Sequence, residues 1–164
     1  MKVFIKNKLI SIGGSSEVYN ENQEQIYKIK GKFFTLTKKK RMYDMQGNLL
    51  YTIRNKYWRL ASDYVYVYDA EGDRVATIKK GRWGFKDDYQ IIDTEDEMMI
   101  DGRIFGFESY IMKNGQRAGK ITRNISIIKD AFTLEADEKE IPFFTALVIA
   151  FDNMVDKREK DKLK

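Results

Sequence analysis

Three stretches of this chain are copies of one another, and that copying decides what the chain can build. Tyr19-Asn20 through Ile29-Lys30, Tyr43-Asp44 through Ile53-Arg54 and Tyr68-Asp69 through Ile78-Lys79 share one plan. Each has a tyrosine, then Asn or Asp, then a polar turn, then isoleucine plus a base ten residues after the tyrosine. The copies start 24 and 25 residues apart, and a looser fourth runs from Ile111 to Ile121. The turns are Asn20-Glu21-Asn22, Met45-Gln46-Gly47-Asn48, Ala70-Glu71-Gly72-Asp73 and Lys113-Asn114-Gly115-Gln116. The last contains Asn-Gly, the strongest two-residue hairpin signal. The flanking arms alternate apolar and polar side chains with period two, as strands do. Val3-Phe4-Ile5, Tyr64-Val65-Tyr66-Val67-Tyr68, Ile125-Ser126-Ile127-Ile128 and Phe132-Thr133-Leu134 read as strands too. A two-strand unit at this period is a β-meander, which must close into a barrel or stack as a sandwich to hide its edges.

The alternation also assigns faces. Tyr27 and Ile29 share one face, and Lys28, Lys30 and Lys32 the other; Tyr51 and Ile53 oppose Arg54 and Lys56 in the same way. The strand bases are therefore expected on the outer, wet wall. A bulky aromatic follows the isoleucine by five residues in three copies, at Phe34, Trp58 and Trp83.

Near the C-terminus the period changes. Residues 142–157 read as a helix, with the chain's single proline, Pro142, near its start, where a missing N–H costs nothing. Asp137, Glu138 and Glu140 at one end and Lys157 and Arg158 at the other suit the helix dipole. From Phe143 to Phe151 the segment is apolar all round, so it belongs inside a core or a membrane. Its apolar part spans about 15 Å at 1.5 Å per residue, against the ~30 Å of a bilayer's hydrocarbon. A helix buried inside the barrel is the expectation, within a single domain of residues 1–157 followed by a charged, disordered tail at 158–164.

The segments Val3-Phe4-Ile5-Lys6, Ile26-Tyr27-Lys28-Ile29-Lys30-Gly31-Lys32-Phe33-Phe34, Ala76-Thr77-Ile78-Lys79-Lys80 and the closing Ile141–Val155 helix resemble the LURP-one-related family of the tubby C-terminal-like superfamily. The resemblance implies a mainly β fold: a closed antiparallel barrel of about twelve strands wrapped round one hydrophobic C-terminal helix. Relatives include the tubby-like proteins, whose domain binds phosphatidylinositol bisphosphate, and the phospholipid scramblases. The shared motifs are structural and bring no catalytic signature and no cofactor, and the function of the single-domain members is unsettled.

The chemistry available is narrow. The chain has no cysteine and no histidine. Disulfides, thiolate and His-ligated metal sites, Cys nucleophiles and the Ser-His-Asp arrangement are all excluded. The acidic run Asp93-Thr94-Glu95-Asp96-Glu97, with Asp101, is the best candidate for a hard cation. It fails the EF-hand pattern, with Met98 where Gly is needed and Ile104 where Glu is needed, and reads as an acidic turn. Gly13-Gly14-Ser15-Ser16 is not followed by Lys-Ser/Thr and reads as a hairpin turn rather than a phosphate loop. No catalytic residue, metal site or cofactor is expected; a carboxylate-based or metal-dependent enzyme is the most remote alternative.

Charge offers more. Residues 1–60 hold thirteen bases against four acids and residues 61–164 hold seventeen against twenty-one, within a net charge of +5. The densest run is Lys38-Lys39-Lys40-Arg41, and Lys79, Lys80 and Arg82 extend it if their hairpin is adjacent. These seven residues are the candidate site for phosphate or anionic lipid headgroups, at about 1 kcal/mol per base near a negative membrane. The bland reading is a solvated turn. Single-stranded nucleic acid is disfavoured, because Tyr57, Trp58 and Trp83 read as packing residues of the repeat. The expectation is a non-enzymatic binding or scaffold module, cytoplasmic and peripheral at the membrane. The alternative is a protein-interaction module with no lipid ligand. Met1-Lys2-Val3-Phe4-Ile5-Lys6 is too short and too charged for a secretory signal, no run is long enough to span a membrane, and the lack of cysteine fits a reducing compartment.

Overall fold

The repeated arms pair with their neighbours along the whole chain. A computed structural model describes residues 1–7, 15–31, 39–56, 64–80, 89–101, 108–125 and 130–162, with backbone alone at a few positions. Its strands are β1 (Lys2–Asn7), β2 (Ser16–Tyr19), β3 (Gln25–Gly31), β4 (Lys40–Tyr43), β5 (Leu49–Asn55) and β6 (Tyr64–Tyr68), then β7 (Arg74–Lys80), β8 (Tyr89–Ile92), β9 (Met98–Asp101), β10 (Glu108–Lys113), β11 (Gln116–Ile125) and β12 (Asp130–Ala136). Each pairs antiparallel with the next, and β1 pairs with β12, closing a twelve-strand barrel that leaves no edge exposed. Phe34, Trp58 and Trp83, Gly13-Gly14 and residues 126–128 lie outside the described residues.

The repeat turns out to be a turn mechanism. Asn20 Oδ1 accepts from the backbone N–H of Asn22 and Glu24, at 3.0 and 2.9 Å. Asp44 Oδ1 accepts from Asn48 N at 2.8 Å. Asp69 Oδ1 accepts from Gly72 N and Asp73 N at 2.9 and 2.8 Å. The Asn or Asp that follows each tyrosine thus closes its own turn, an Asx turn. The ladder slips by a residue at Val18/Tyr19, Met42/Tyr43 and Val67/Tyr68, the same point in each copy, and again at Ile111/Met112. These bulges bend the strands as a barrel requires. At Asn114-Gly115 both residues take positive φ, 51° and 77°, the type I′ geometry that Asn-Gly signals.

The faces follow the alternation. Ile29 and Ile53 are buried, while Lys28, Lys30, Arg54 and Lys56 are exposed. In β6 the valines point inward and the three tyrosines outward. Inside the wall runs α1 (Ile141–Lys162), entered through a short 3-10 turn at Glu138–Glu140 that Asp137 caps. Ile141 and every residue from Phe144 to Met154 are buried. Phe144 lies against Gly119 of β11, Phe143 packs beside Tyr51 at 6.0 Å between ring centroids, and Phe151 meets Tyr89 edge-on at 5.0 Å. The helix runs to Lys162, past the expected stop at 157, because no Gly or Pro follows Pro142 and good helix formers fill the stretch. Among the described residues, no helix is long and apolar enough to cross a membrane.

Candidate anion-binding surface

The wall is divided by charge. Strands β1–β7 contain Lys2, Lys6, Lys28, Lys30, Lys40, Arg41, Arg54, Arg74, Lys79 and Lys80, ten bases, against one acid, Glu17. Strands β8–β12 contain four of each.

Across the basic part, five outward bases are laid on outward tyrosines. Lys6 lies 4.6 Å from the ring centroid of Tyr19, Lys30 5.2 Å from that of Tyr43 and Lys56 5.1 Å from that of Tyr64. Arg54 lies 4.5 Å from Tyr68 and also donates to its hydroxyl at 2.6 Å. Arg74 lies 5.5 Å from Tyr66. These contacts hold long flexible side chains down against the wall, where the ring quadrupole attracts the cation. The cross-strand partners Lys30–Arg41, Arg41–Thr52, Thr52–Tyr68 and Tyr68–Arg74 run as one row over five strands. The tyrosines were missed as site residues. Their signal was present in the strict alternation Tyr64-Val65-Tyr66-Val67-Tyr68, which puts three rings on the face opposite the valines.

The residues expected to form the site are dispersed. Arg41 lies on the outer wall of β4 within that row. Lys39 precedes β4 and is half-buried. Lys79 sits on β7 opposite Tyr64. Lys38 and Arg82 lie outside the described residues, as does the side chain of Lys80. Strands β5 and β6 separate β4 from β7, about 14 Å at ~4.8 Å per strand, and Lys79 pairs with Tyr64 outside that row, so it does not join Arg41 in one cluster.

Lys40 is inside the barrel. It shares the inner face with Met42, is 9% exposed, and places Nζ 3.5 Å from Oδ2 of Asp152 on α1, itself 4% exposed. This departs from the expectation that the strand bases face outward. The physical reason is the two-residue period from Met42 together with a counterion on the helix: a buried charge needs a partner.

The acidic candidates are taken up by turn contacts. Arg74 pairs with Asp93 at 3.1 Å, and Thr77 Oγ1 donates to the same carboxylate at 2.6 Å. Lys113 bridges Asp96 and Glu140, both at 2.9 Å, tying the β8–β9 turn to the start of the helix. Bonds from Lys113 and then Asn114 hold the Asp96 carboxyl below the usual range. The same bridge, Glu140 first, raises Lys113. Among the described residues no group of three or more acids could hold a metal ion.

Comparison with known proteins places this geometry. A family model described as LURP-one-related matches residues 1–152. The X-ray structure of a protein from Arabidopsis thaliana shares the fold: TM-score 0.65, 15% identity, 93% of this chain and 90% of that one covered. No curated protein matches the chain.

Proposed function

The chain belongs to the LURP-one-related family, and from that premise we propose that it is a non-enzymatic binding module whose basic outer wall contacts anionic phospholipid headgroups at a membrane surface. The observation that carries this reading is the set of eight outward bases over β1–β7, Lys2, Lys6, Lys28, Lys30, Arg41, Arg54, Arg74 and Lys79, against the one acid Glu17, with Lys6, Lys30, Arg54 and Arg74 laid on tyrosine rings. A base near an anionic membrane is worth about 1 kcal/mol, so one is negligible and several in a fixed array are not. Tyrosine suits the partner, because its amphipathic ring is at home where water meets lipid. Anionic lipid is concentrated in the cytoplasmic leaflet, which fits a chain without cysteine.

Co-sedimentation tests it. The protein is expected to pellet with phosphatidylcholine vesicles containing phosphatidylserine, to release as salt rises, and to ignore pure phosphatidylcholine. The double variant Lys30→Glu/Arg54→Glu, on exposed positions, should fold normally and lose the difference. Equal sedimentation with both vesicle types would sink the proposal.

A further inference from the structure

Charge is sorted along the barrel axis as well as around the wall. Because the strands alternate direction, every described turn lies at one rim, and α1 starts there. Segments 20–24, 44–48, 69–73, 93–97 and 137–140 at that rim carry two, one, three, four and three carboxylates, thirteen in all, against a single base, Lys139. Bases on the adjoining strand ends offset only part of this: Arg74 pairs with Asp93 and Lys113 with Asp96 and Glu140, while Lys2 pairs with Glu135, outside the thirteen. At the opposite rim, against Glu17, Asp101, Glu108 and Asp130 at the ends of β2, β9, β10 and β12, the four bases Lys6, Lys30, Lys56 and Lys79 stand within a residue of the ends of β1, β3, β5 and β7. The first three rest on tyrosines, and none of the four is ion-paired with a described carboxylate. α1 runs from the acidic rim toward the basic one and continues eight residues, about 12 Å, past the buried Met154.

We propose that the barrel docks end-on: the rim where β1, β3, β5 and β7 end lies against the anionic bilayer, and the carboxylate-rich turn rim points into solvent. This rests on the lipid binding proposed above and narrows its contact from the whole basic wall to the ends of that wall at one rim. A strand of seven residues spans roughly 23 Å, more than two Debye lengths at physiological salt, where one is about 8 Å. Only the rim nearest the surface feels its field. With the basic rim down, the surface attracts the bases at these strand ends and the thirteen carboxylates lie beyond its reach. Turned over, the barrel would press those carboxylates against negative lipid. Lying on its side, it would bring both rims within range at once.

The absence of cysteine makes the test clean. Single substitutions Ser15→Cys at the basic rim, Thr52→Cys on the outer wall of β5 and Gln46→Cys in the β4–β5 turn each carry one environment-sensitive fluorophore. Phosphatidylcholine/phosphatidylserine vesicles with a headgroup-attached quencher report depth, and co-sedimentation of the same labelled proteins reports binding. End-on docking predicts quenching in the order 15, 52, 46, with at least ~threefold between the extremes, because quenching acts at short range and the two rims are roughly 23 Å apart. Bound protein quenched most at position 52, or as strongly at 46 as at 15, overturns the orientation and leaves lipid binding standing. Labelled protein that does not sediment with the anionic vesicles overturns the lipid reading and the orientation together. A salt-sensitive oligomer in sedimentation velocity without vesicles would assign the two rims to each other, head to tail, and would also overturn it.

Discussion

Gly119 is where the central helix comes closest to the wall. A Cβ there would meet Phe144 Cδ2 at 3.1 Å and Cε2 at 3.3 Å. Both are ring atoms of a fully buried side chain with nowhere to go. Gly119→Val should therefore cost about 2–3 kcal/mol by overpacking, read as a lower urea midpoint at constant slope. Adding Phe144→Leu should recover part of it, and an undiminished midpoint for the single variant would disprove the contact. The Lys40–Asp152 pair makes a different kind of demand. Lys40→Met or Asp152→Leu alone removes one member of this buried charge pair and should cost roughly 3–5 kcal/mol, whereas the double variant should be more stable than either single one. A double variant at the sum of the two losses would mean the pair is not coupled. The partner of Lys40 stands 112 residues away and no local pattern announces it. Its inward direction was legible all the same, since it lies two positions from Met42 on a short strand. A run of four consecutive bases hid that alternation by presenting one sign on both faces.

At the scale of the element, the hairpins were legible because each is specified locally. The Asx residue, the bulge and the positive-φ turn residue sit within about ten residues of one another, and all three recur in the repeat. The ion pairs that tie one element to the next were not legible, and pH reaches these together with the Asp44–Asn48 hydrogen bond inside its turn. Asp44 is held below the ordinary carboxylate range chiefly by the Asn48 side chain, Asp96 by Lys113, and Glu108 by Lys120. A carboxyl with a depressed folded-state pKa stabilises the fold above its unfolded value, about 4, and loses that contribution as pH falls through the lower folded one. The melting temperature should accordingly stay level between pH 6 and 8, where a chain without histidine has no side chain that ordinarily titrates. It should then decline below about pH 4.5. These carboxylates all reach solvent, so the decline should be shallow and should flatten in high salt. A melting temperature that rises on acidification would contradict the pairing.

At the scale of the whole molecule, strand number and helix explain each other. Eight strands make a barrel whose own side chains fill it, and diameter grows with strand number, so twelve leave a lumen. A helix with its side chains is about 10–12 Å across and fills that space. Its all-round apolar surface between Phe143 and Phe151, which made no sense for a surface helix, is the complement of a wall that faces it from every side. That much could be read from the sequence. The axial sorting of charge could not, because each hairpin carries acids at its turn and bases at its strand ends, so dividing the chain into two halves averages the two rims together. Leu147, fully buried on α1, tests the dependence of wall on helix. Leu147→Asp places a charge at a fully buried position of the apolar core, at a cost of several kcal/mol that rivals the whole stability of a domain this size. The variant should lose its cooperative unfolding transition, while Leu147→Ile, equal in volume, should keep it. A soluble Leu147→Asp protein with a sharp transition would show that the twelve strands hold their closure without a packed centre, and the helix would then be a passenger in the barrel rather than its core.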